Sequence, residues 1–423
     1  MTKSIAIVGG GAGGIFAALG AARTAREHAQ HIAVHLFERN ARLGIKILIS
    51  GGGKCNITHA GPTNEVLREG FPQKNEQRFL KFSLHTYTNN DVLALLAAHD
   101  VSCHARENGR VFPNSGRADD VLAAFEAELQ NANVILHLNS RVTKIESIAG
   151  AWEVVTDRQS LKADALILAT GGTSYRKVGT TGDGLTYAAR LGHTIVPNRA
   201  ALAPIYLKHP PEQDLVGIAL RDIELLIVRD KQTLSALRGD VLLTHRGLSG
   251  PTVLGISREA AVHAERGSIE LAANLLGMNE EQVRTTLTDL QGTRSQQQIK
   301  TWLEELLPNR FVPHILAQAR LPIDRKWHAL TREERVRLRS ALTHYSFGLV
   351  ADIPVDRGEV TAGGVSLAEV APATMKSWLI PNLYFAGEML DIAGEIGGYN
   401  LQAAYSTGWV AGSAAAQSIL EHA

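Results

Sequence analysis

The first residues with an evident chemical use are the glycines of the segment Gly9-Gly10-Gly11-Ala12-Gly13-Gly14. Gly9 permits a tight turn, Gly11 lets a pyrophosphate approach the backbone, and Gly14 lets a helix pack closely on a strand. The free N–H groups and the positive end of that helix face a diphosphate. Glu38 lies 24 positions after Gly14, close to the spacing at which a carboxylate accepts hydrogen bonds from an adenosine ribose. These residues predict a dinucleotide site.

A second glycine-rich stretch is Ser50-Gly51-Gly52-Gly53-Lys54-Cys55-Asn56. Its composition disfavours both helix and strand and favours an anion-binding loop. Without Cβ atoms, its N–H groups can converge on a phosphate. Lys46 and Lys54 add positive charge. The alternative is a flexible surface loop. Cys55 is either a redox thiol or a small packing residue, and the absence of a second cysteine nearby in sequence favours packing.

A third glycine-rich stretch lies near the C-terminus. The strand-like run Leu383–Phe385 leads into Gly387, Glu388 and Asp391, and then into Gly394 to Asn400 ahead of a long helix. The unpaired N–H groups at that helix start suit the pyrimidine side of a flavin ring, which becomes anionic on reduction. Asp391 is assigned instead to the ribityl or phosphate region. The alternative is a glycine-rich cap on a terminal packing helix.

Two side chains are candidates for proton delivery. His245 follows a strand in Thr244-His245-Arg246-Gly247-Leu248-Ser249-Gly250-Pro251, a stiff turn that points one side chain outward. A structural role is the alternative, since the chain has 16 histidines. Tyr399 begins the C-terminal helix and is the second candidate.

The elements around these residues predict an α/β fold. Strands and helices alternate over residues 1–195, as in a doubly wound sheet. Residues 196–344 change to short β-like runs and later helices, which we interpret as an inserted domain, part β-barrel-like and part helical, that covers a substrate. Residues 345–423 return to α/β texture. The predicted nucleotide-binding domain is therefore discontinuous, 1–195 with 345–423.

Composition restricts the function. Lys+Arg total 43 and Asp+Glu 42, a balance that favours neither nucleic acid nor an anionic membrane as a partner. Apolar runs are too short to cross a bilayer, and the chain enters a strand directly after Met1-Thr2-Lys3, so we expect no signal peptide and a cytoplasmic location. Two cysteines, Cys55 and Cys103, form no disulfide framework or metal cluster, and no metal is expected.

Eight motifs in this order make the chain similar to a known family. They are Gly9–Gly14, Ser50–Asn56, Gly109–Pro113, Ala169–Gly172, Thr181–Gly184, Thr244–Pro251, Thr361–Val365 and Ala386–Gln402. The set resembles the BaiN/YhiN-like bacterial flavoproteins, NAD(P)/FAD-dependent oxidoreductases, over nearly the whole length. Thr181–Gly184 is also similar to the flavoprotein subunits of fumarate reductases and succinate dehydrogenases, whose substrate-binding Arg and His motifs do not occur here. Lys54 stands where the family often has Arg.

The resemblance implies non-covalent FAD in a Rossmann-like domain interrupted by an insert. Glu38 is expected at the adenosine ribose, Gly11 to Gly14 with Lys46 at the diphosphate, and Gly398 to Leu401 at the flavin ring. The full set of expected FAD contacts is Gly9, Gly11, Ala12, Gly13, Gly14, Glu38, Arg39, Lys46, Ser50, Gly51, Gly52, Lys54, Cys55, Asn56, Val142, Thr170, Gly171, Gly172, Gly387, Glu388, Asp391, Gly397, Gly398, Tyr399, Asn400 and Leu401.

The leading functional hypothesis is an FAD-dependent oxidoreductase that passes hydride through flavin N5 from NAD(P)H or another donor to an activated alkene or similar small molecule. The activity associated with the family name is reduction of a steroid C=C bond. The chain has no second complete Gly-x-Gly-x-x-Gly unit, so NAD(P)H is expected to bind transiently or not at all. The alternatives are an FAD-dependent RNA-modifying enzyme and a flavin-binding partner protein without turnover.

Overall fold

A computed structural model describes residues 3–148 and 150–421. The strands are β1 (Lys3–Val8), β2 (Ile32–Phe37), β3 (Thr58–His59), β4 (Cys103–Ala105), β5 (Arg110–Pro113), β6 (Ile135–His137), β7 (Val142–Ile148), β8 (Ala151–Thr156), β9 (Ser160–Ala163), β10 (Ala165–Leu168), β11 (Ile195–Ala201), β12 (Ile205–Leu207), β13 (Ala219–Arg229), β14 (Gln232–Thr244), β15 (Gly247–Ser249), β16 (Glu270–Asn274), β17 (Tyr345–Asp352), β18 (Val360–Val365) and β19 (Leu383–Phe385).

The helices are α1 (Ala12–Glu27), α2 (Ile45–Gly53), α3 (Thr63–Gly70), α4 (Lys74–Thr86), α5 (Asn89–Ala98), α6 (Ala118–Asn131), α7 (Asp183–Arg190), α8 (Pro251–Ala264), α9 (Glu280–Thr293), α10 (Ile299–Leu306), α11 (Val312–Gln318), α12 (Arg332–Thr343) and α13 (Tyr399–Glu421). None of those described is both long and apolar enough to cross a membrane.

The chain forms two compact units, 1–199 with 359–423 and 200–358. The first contains a five-stranded parallel sheet in the order β19-β10-β1-β2-β6. Its central strand, β1, is buried, as expected for a parallel strand covered on both faces. Because parallel strands share one direction, the glycine-rich turns after β1 and β10 and the residues after β19 lie at the same edge of the sheet.

The helices α1 and α13 pack unusually closely. An added Cβ at Gly408 would lie 2.2 Å from O of Gly13, and one at Gly412 would lie 1.9 Å from O of Ala17. The same test at Gly20 gives 2.4 Å to O of Trp409. The small residues of α1 and α13 therefore permit this close approach of the two backbones.

The second unit contains a closed antiparallel barrel in the order β12-β15-β14-β13-β16-β17, together with α8 to α12. Its core is built from barrel residues such as Leu225 and Leu271 and from helical residues such as Trp302 and Ile315. The predicted fold class, an α/β Rossmann-like domain interrupted by a β-rich and helical insertion, is confirmed.

The boundaries differ from those in the sequence interpretation. Residues 345–358, predicted to rejoin the nucleotide-binding domain, belong to the second unit because β17 pairs with both β12 and β16 and closes the barrel. That each unit folds as an independent domain, and that the second covers a substrate, stay predictions. A hairpin is expected from the alternating pattern on either side of Ala149-Gly150, and β7 and β8 do pair; Ala149 lies outside the described residues, as do Met1, Thr2, His422 and Ala423.

Candidate functional site

The first glycine loop leaves β1 and enters α1 through a backbone that excludes side chains. Gly9 has φ +111°, and an added Cβ there would lie 2.4 Å from O of Ala169. At Gly14 the added atom would lie 1.8 Å from O of Gly9, whereas at Gly11 it would meet no atom within 4 Å. The protein's own packing therefore requires Gly9 and Gly14. Packing within the protein does not require glycine at position 11, so the open space there is available to a ligand.

Glu38, at the end of β2, is buried and already holds two backbone amides. Its Oε2 accepts from N of Gly10 at 2.8 Å and its Oε1 accepts from N of Asn40 at 2.8 Å. The carboxylate thus ties the end of β2 to the glycine loop. Each oxygen retains one lone pair for a further donor, so the predicted contact with a ribose stays a prediction.

The second glycine stretch combines a helix and a loop. The sequence interpretation expected only a loop, but α2 begins at Ile45, after Gly44 in a left-handed conformation. The helix is interrupted at Ser50, and Gly51, Gly52 and Gly53 follow with φ +56°, +69° and +83°. Consecutive left-handed residues are accessible mainly to glycine. This segment is exposed, as is Lys54.

Cys55 and Asn56 turn inward after this loop. Cys55 is fully buried, and burial raises the pKa of its thiol to about 12, so the thiolate needed for redox chemistry is disfavoured. The amide of Asn56, oriented to satisfy both neighbours, donates to O of Thr58 at 3.3 Å and accepts from N of Gly398 at 3.0 Å. Asn56 thereby joins the second glycine loop to the C-terminal one.

Lys46 and Glu388, predicted as separate cofactor contacts, form an ion pair. Nζ of Lys46 donates to Oε2 of Glu388 at 2.6 Å and to Oγ of Ser174 at 2.9 Å. Oε1 of Glu388 accepts from N of Thr361 at 2.8 Å and from Oγ of Ser174 at 3.2 Å. Ser174 and Thr361 are fully buried and were not predicted. No sequence spacing could have identified them, because four separate segments meet here.

The C-terminal loop is held by its own polar residues. Oδ1 of Asn400 accepts from N of Gly394 at 2.8 Å, and its Nδ2 donates to O of Gly394 at 2.9 Å. Oδ1 of Asp391 accepts from N of Gly363 at 3.0 Å, which ties the carboxylate to β18, and its predicted contact with the ribityl or phosphate region stays a prediction. An added Cβ at Gly398 would lie 2.5 Å from O of Thr58. Position 398 therefore requires glycine, because β3 lies directly against it.

Tyr399 has a buried ring that stacks on His59, with centroids 4.6 Å apart and planes at 18°. Burial, with the charges of Glu69 and Glu395, raises the pKa of Tyr399 to about 12, against the opposing charge of Arg110. His59 carries no motif signal and was missed. The surrounding sequence gives no signal for a site, since it shows only a histidine two residues before Gly61.

The remaining predicted contacts surround the ends of β2 and β10. Nη1 of Arg39 donates to Oγ1 of Thr181 at 2.8 Å. Burial acts to raise the pKa of Asp183, but hydrogen bonds from Thr181 and Arg141 outweigh it, so this pKa lies below its usual value. Val142 is buried at the start of β7. Oγ1 of Thr170 lies 3.0 Å from Sδ of Met389.

The two glycines after Thr170 have structural requirements of their own. Gly171 has φ +77°, in the left-handed region, and an added Cβ at Gly172 would lie 2.6 Å from Oγ1 of Thr361. Gly387 has φ +64°, donates to Oγ1 of Thr407 at 3.0 Å, and lies against Gly13, where an added Cβ would be 3.3 Å from N of Gly387. The ends of β1, β10 and β19 are thus in direct contact.

His245 lies in the other unit, on the exposed turn between β14 and β15. Gly247 holds this turn against β12, since an added Cβ there would lie 2.2 Å from O of Ile205. The guanidinium of Arg246 lies 3.9 Å from the ring centroid of Tyr206. A rigid turn that points side chains outward is therefore confirmed, and a role for His245 in proton delivery stays a prediction.

Two helix N-termini in the first unit point the same way, and each follows a glycine, which has no side chain to cap the helix. Gly408 meets Gly13 and Gly412 meets Ala17, so α13 runs parallel to α1. Gly408 is nine residues into α13 and Gly13 is one residue into α1, so α13 projects eight residues further, about 12 Å at the rise of an α-helix. The first-turn amides of Ala12 to Gly14 and of Tyr399 to Leu401 lack intrahelical partners, and Gly11 provides no side-chain cap.

Residues 3–414 match the HI0933-like protein Rossmann domain family. The chain belongs to this family. It is 30% identical over 423 residues to a 3-dehydro-bile acid delta(4,6)-reductase of Clostridium scindens, covering 98% of this chain and 99% of that protein. It is also 30% identical over 403 residues to a ribosomal RNA dihydrouridine synthase of Escherichia coli, covering 95% of each.

Among solved structures, the quinol fumarate reductase of E. coli matches with a TM-score of 0.52 at 15% identity, over 100% of this chain and 71% of that one. This match shows a shared fold. The family resemblance drawn from the eight motifs is confirmed, as is the predicted class, an oxidoreductase enzyme with a Rossmann-type FAD-binding fold.

Proposed function

We propose that this protein binds FAD non-covalently and reduces a C=C bond conjugated to a carbonyl group in a small molecule, with NAD(P)H or another hydride donor. The observation that carries the proposal is the pair of parallel helix N-termini, each preceded by a glycine without a capping side chain, and offset from each other by about 12 Å. One suits a diphosphate and the other a ring system at a distance from it. A nicotinamide dinucleotide bound at the first loop gives the second N-terminus no task.

The residues present fit FAD in their chemistry. The open space at Gly11 admits a diphosphate where no protein atom lies within 4 Å. Amides of Ala12 to Gly14 then bind its oxygens, the remaining lone pairs of Glu38 accept from the adenosine ribose, and the exposed amides of Gly51 to Gly53 provide further donors. Lys46 contributes positive charge, held in place by Glu388. The amides of Tyr399 to Leu401 face the pyrimidine edge of the ring.

FAD, when bound, supplies hydride chemistry. The protein supplies charge stabilisation and a proton donor. The positive end of α13 stabilises negative charge at the ring. Tyr399 is the proposed proton donor, because its hydroxyl belongs to the same first helical turn. His245 is a second proposed donor from the inserted unit, which covers the substrate in this proposal.

The test begins with the yellow protein under anaerobic conditions. NADPH and NADH are mixed with it separately, and bleaching of the flavin band identifies the donor; if neither bleaches it, nicotinamide is not the donor. Dithionite-reduced protein is then offered enones, including a 3-oxo-Δ4 steroid, and quinones as a comparison. Reoxidation by enones with a stoichiometric saturated product supports the proposal. Protein that binds no FAD, or reduced protein that no enone reoxidises, contradicts it.

A second candidate is reduction of a uracil C5=C6 bond in RNA, which is also a C=C bond conjugated to a carbonyl. The 30% identical relative named as a ribosomal RNA dihydrouridine synthase favours it. Arg246 is exposed and stacks on Tyr206. Such a pairing of a cation with an aromatic ring is suited to contacts with RNA phosphates and bases. The near-neutral net charge of +1 argues against it. Reoxidation of reduced protein by a uridine-containing ribosomal RNA fragment, with no reoxidation by enones, would replace the first proposal by this one.

A further inference from the structure

Arg110, at the start of β5, carries a positive charge that the described part of the chain leaves unpaired. The residue is half-buried, and its guanidinium group has no hydrogen-bond or ion-pair partner among the described residues. Arg106, four residues earlier, is exposed and differs, because its guanidinium group lies 4.0 Å from the ring centroid of Phe112. A guanidinium group stays charged in proteins and offers five N–H donors in a planar fork. Arg110 is therefore suited to an oxygen ligand from outside the chain.

Arg110 lies on the same face of the small sheet β3-β5-β4 as the stacked rings of His59 and Tyr399. It is directly opposite His59 in the antiparallel pairing of β5 with β3, and the side chains of such a pair lie on one face, about 5 Å apart. The His59 ring stacks on that of Tyr399 at 4.6 Å. An added Cβ at Gly109 would lie 2.2 Å from the His59 ring. The backbone of β5 thus brings Arg110 next to the first turn of α13.

The same face of β5 also contacts the second glycine loop. Phe112 follows Arg110 by two residues, so their side chains point to the same side of the strand. An added Cβ at Gly51 would lie 3.1 Å from Cε1 of Phe112. Arg110 therefore shares one face of β5 with residues that contact two segments of the proposed flavin site, the loop around Gly51 and the helix start at Tyr399.

The charge of Arg110 acts on the hydroxyl group of Tyr399. Burial, with the carboxylates of Glu69 and Glu395, raises the pKa of Tyr399 to about 12, and the charge of Arg110 acts in the opposite direction. Because interactions between charges weaken with distance and are screened by solvent, a cation with this effect lies near the hydroxyl oxygen. Arg110 is thus a neighbour of the proposed proton donor and is not hydrogen-bonded to it.

A carboxylate links Arg110 to the end of the parallel sheet. Burial raises the pKa of Glu359, and the charges of Arg110 and Lys46 oppose this shift. Nζ of Lys46 already donates to Glu388 at 2.6 Å, whereas Arg110 is not paired with a described residue. The two cations therefore lie in the same region of the first unit, and Arg110 is the one whose donors are available to a substrate.

We propose that Arg110 is a catalytic residue: its guanidinium group binds the carbonyl oxygen of the conjugated substrate and stabilises the negative charge that this oxygen gains during reduction. Two N–H groups of the fork can donate to the two lone pairs of one oxygen. Both candidate acceptors of the proposed function, an enone and a uracil base, carry such a carbonyl oxygen. Arg110 thus selects acceptors with a conjugated carbonyl group, and Tyr399 beside it delivers the proton.

The inference rests on the proposed function for the source of the hydride, which is the reduced flavin. The hydride bonds to the alkene carbon further from the carbonyl group. The alkene electron pair moves toward the carbonyl carbon, and the carbonyl π pair moves onto the oxygen, which becomes an enolate oxygen held by Arg110. The O–H bond of Tyr399 then breaks, its proton bonds to the carbon next to the carbonyl group, and the carbonyl group is restored. Solvent returns a proton to the phenolate of Tyr399.

The first experiment measures ligand binding without turnover. The oxidised yellow protein is titrated with 4-chlorophenol, whose phenolate is a planar oxyanion like the enolate and gives a long-wavelength charge-transfer band with a flavin. Because Arg110 should stabilise the phenolate, we expect the band at pH 7, well below the ordinary pKa of a phenol, about 10. Arg110→Met should bind the ligand at least about tenfold more weakly. A wild type without the band, or an Arg110→Met variant that binds as tightly as the wild type, overturns the proposal.

Two further variants isolate the position of the charge and the shape of the fork. Arg106→Met removes the same charge from the same hairpin and should bind 4-chlorophenol like the wild type. Arg110→Lys keeps the charge without the fork and should lose less affinity than Arg110→Met. An equal loss in Arg106→Met overturns the proposal, because net charge then explains the effect. If Arg110→Met does not fold, wild-type affinity in Arg110→Lys overturns it.

The same variants show whether Arg110 serves the substrate or the cofactor. Since its guanidinium group has no partner among the described residues, Arg110→Met should keep the wild-type stability in urea. It should also keep the wild-type FAD affinity in a flavin fluorescence titration. A loss of FAD affinity that accounts for the weaker 4-chlorophenol binding assigns Arg110 to the cofactor and overturns the proposal.

The second experiment measures the reoxidation of reduced protein by an enone. Arg110→Met should slow the maximal rate about a hundredfold, as the loss of one donor to a developing oxyanion does, and should raise the half-saturating enone concentration. Arg110→Lys should be slowed less, and Arg106→Met should match the wild type. Reoxidation of Arg110→Met at the wild-type rate overturns the proposal.

The two failures are distinguishable. If no enone reoxidises the wild-type protein, the proposed reduction of enones fails, whereas a 4-chlorophenol band that depends on Arg110 still supports an oxyanion site at this residue. If enones reoxidise the wild type and Arg110→Met behaves like it in both experiments, only the Arg110 proposal fails.

Discussion

In the loop after β1, an added Cβ at Gly14 would lie 1.8 Å from a backbone oxygen, whereas in the loop before β3 an added Cβ at Gly52 would meet no atom within 4 Å. Both loops were predicted to bind phosphate because both are rich in glycine. The first needs glycine mainly because strand, turn and helix crowd together there. The second needs it because three consecutive residues are left-handed.

This difference distinguishes glycines that the packing of the fold requires from glycines that are open to a ligand. In the first loop only Gly11 has open space, so one glycine is available to a ligand and its neighbours support the fold. In the second loop Gly52 and Gly53 are both uncrowded and exposed. Substitutions in the first loop should therefore act mostly on stability. Those in the second should act mostly on cofactor affinity.

The largest effect is expected for Gly14→Ala. The new methyl group overlaps O of Gly9, and relief requires α1 to move away from β1, which should lower the free energy of unfolding by about 3 kcal/mol or more. Gly11→Ala is the control, since it adds the same methyl group to open space: it should keep its stability and bind FAD at least tenfold more weakly. Urea unfolding and flavin fluorescence titration measure the two quantities. Equal destabilisation by both substitutions contradicts the comparison.

A smaller loss is expected for Glu38→Gln. The amide can accept from only one of the two backbone N–H groups of Gly10 and Asn40, and the unpaired one should cost about 1–3 kcal/mol. FAD affinity should also fall, since the ribose loses its acceptor. Asp164→Asn is the matched control, because Oδ2 of Asp164 accepts from N of Ser4 at 2.8 Å at the other end of β1. That variant should lose stability alone. Weaker FAD binding in both would remove the assigned role of Glu38.

Gly52→Ala should cost about 1 kcal/mol of stability, the strain of a left-handed alanine, and should weaken FAD binding. Gly192→Ala is the control: Gly192 has φ +93° and, like Gly52, no atom within 4 Å of an added Cβ. Calorimetric unfolding should give similar losses for both, with normal FAD affinity for Gly192→Ala only. Normal affinity in Gly52→Ala would make the second loop a surface turn without a ligand.

The smallest effect is expected from pH, at a histidine pair on the neighbouring strands β2 and β6. Burial lowers the pKa of His35 and of His137, whose Nδ1 and Nε2 lie 3.0 Å apart on β2 and β6. Because the unfolded chain binds these protons more readily, stability is complete above the ordinary histidine pKa of about 6.5 and falls as pH drops below it. Urea unfolding between pH 7.5 and 5.5 should show this decline, and His137→Gln should reduce it. An identical decline in the variant would exclude the pair.

Much of the fold was predictable from local pattern. The apolar run before Gly9, the acid at the end of β2 and the change of texture near residue 196 indicated the parallel sheet and the insertion. The end of the insertion was misplaced because β17 has the same alternating pattern whichever sheet it joins. The helix α2 was missed because its three glycines lower helix propensity and only Ile45 to Ile49, before the interruption at Ser50, is helical.

The sequence alone determined the glycine positions, the acid spacing and the family, because crowded turns and helix starts impose residue types over short distances. Only the tertiary structure decided the partners of those residues: Lys46 with Glu388, Asn56 with Gly398, and Tyr399 with His59. These contacts join segments far apart in the chain, and no local preference encodes them. The parallel packing of α1 and α13, and hence the offset of their N-termini, likewise follows from small residues that meet only when the chain is folded.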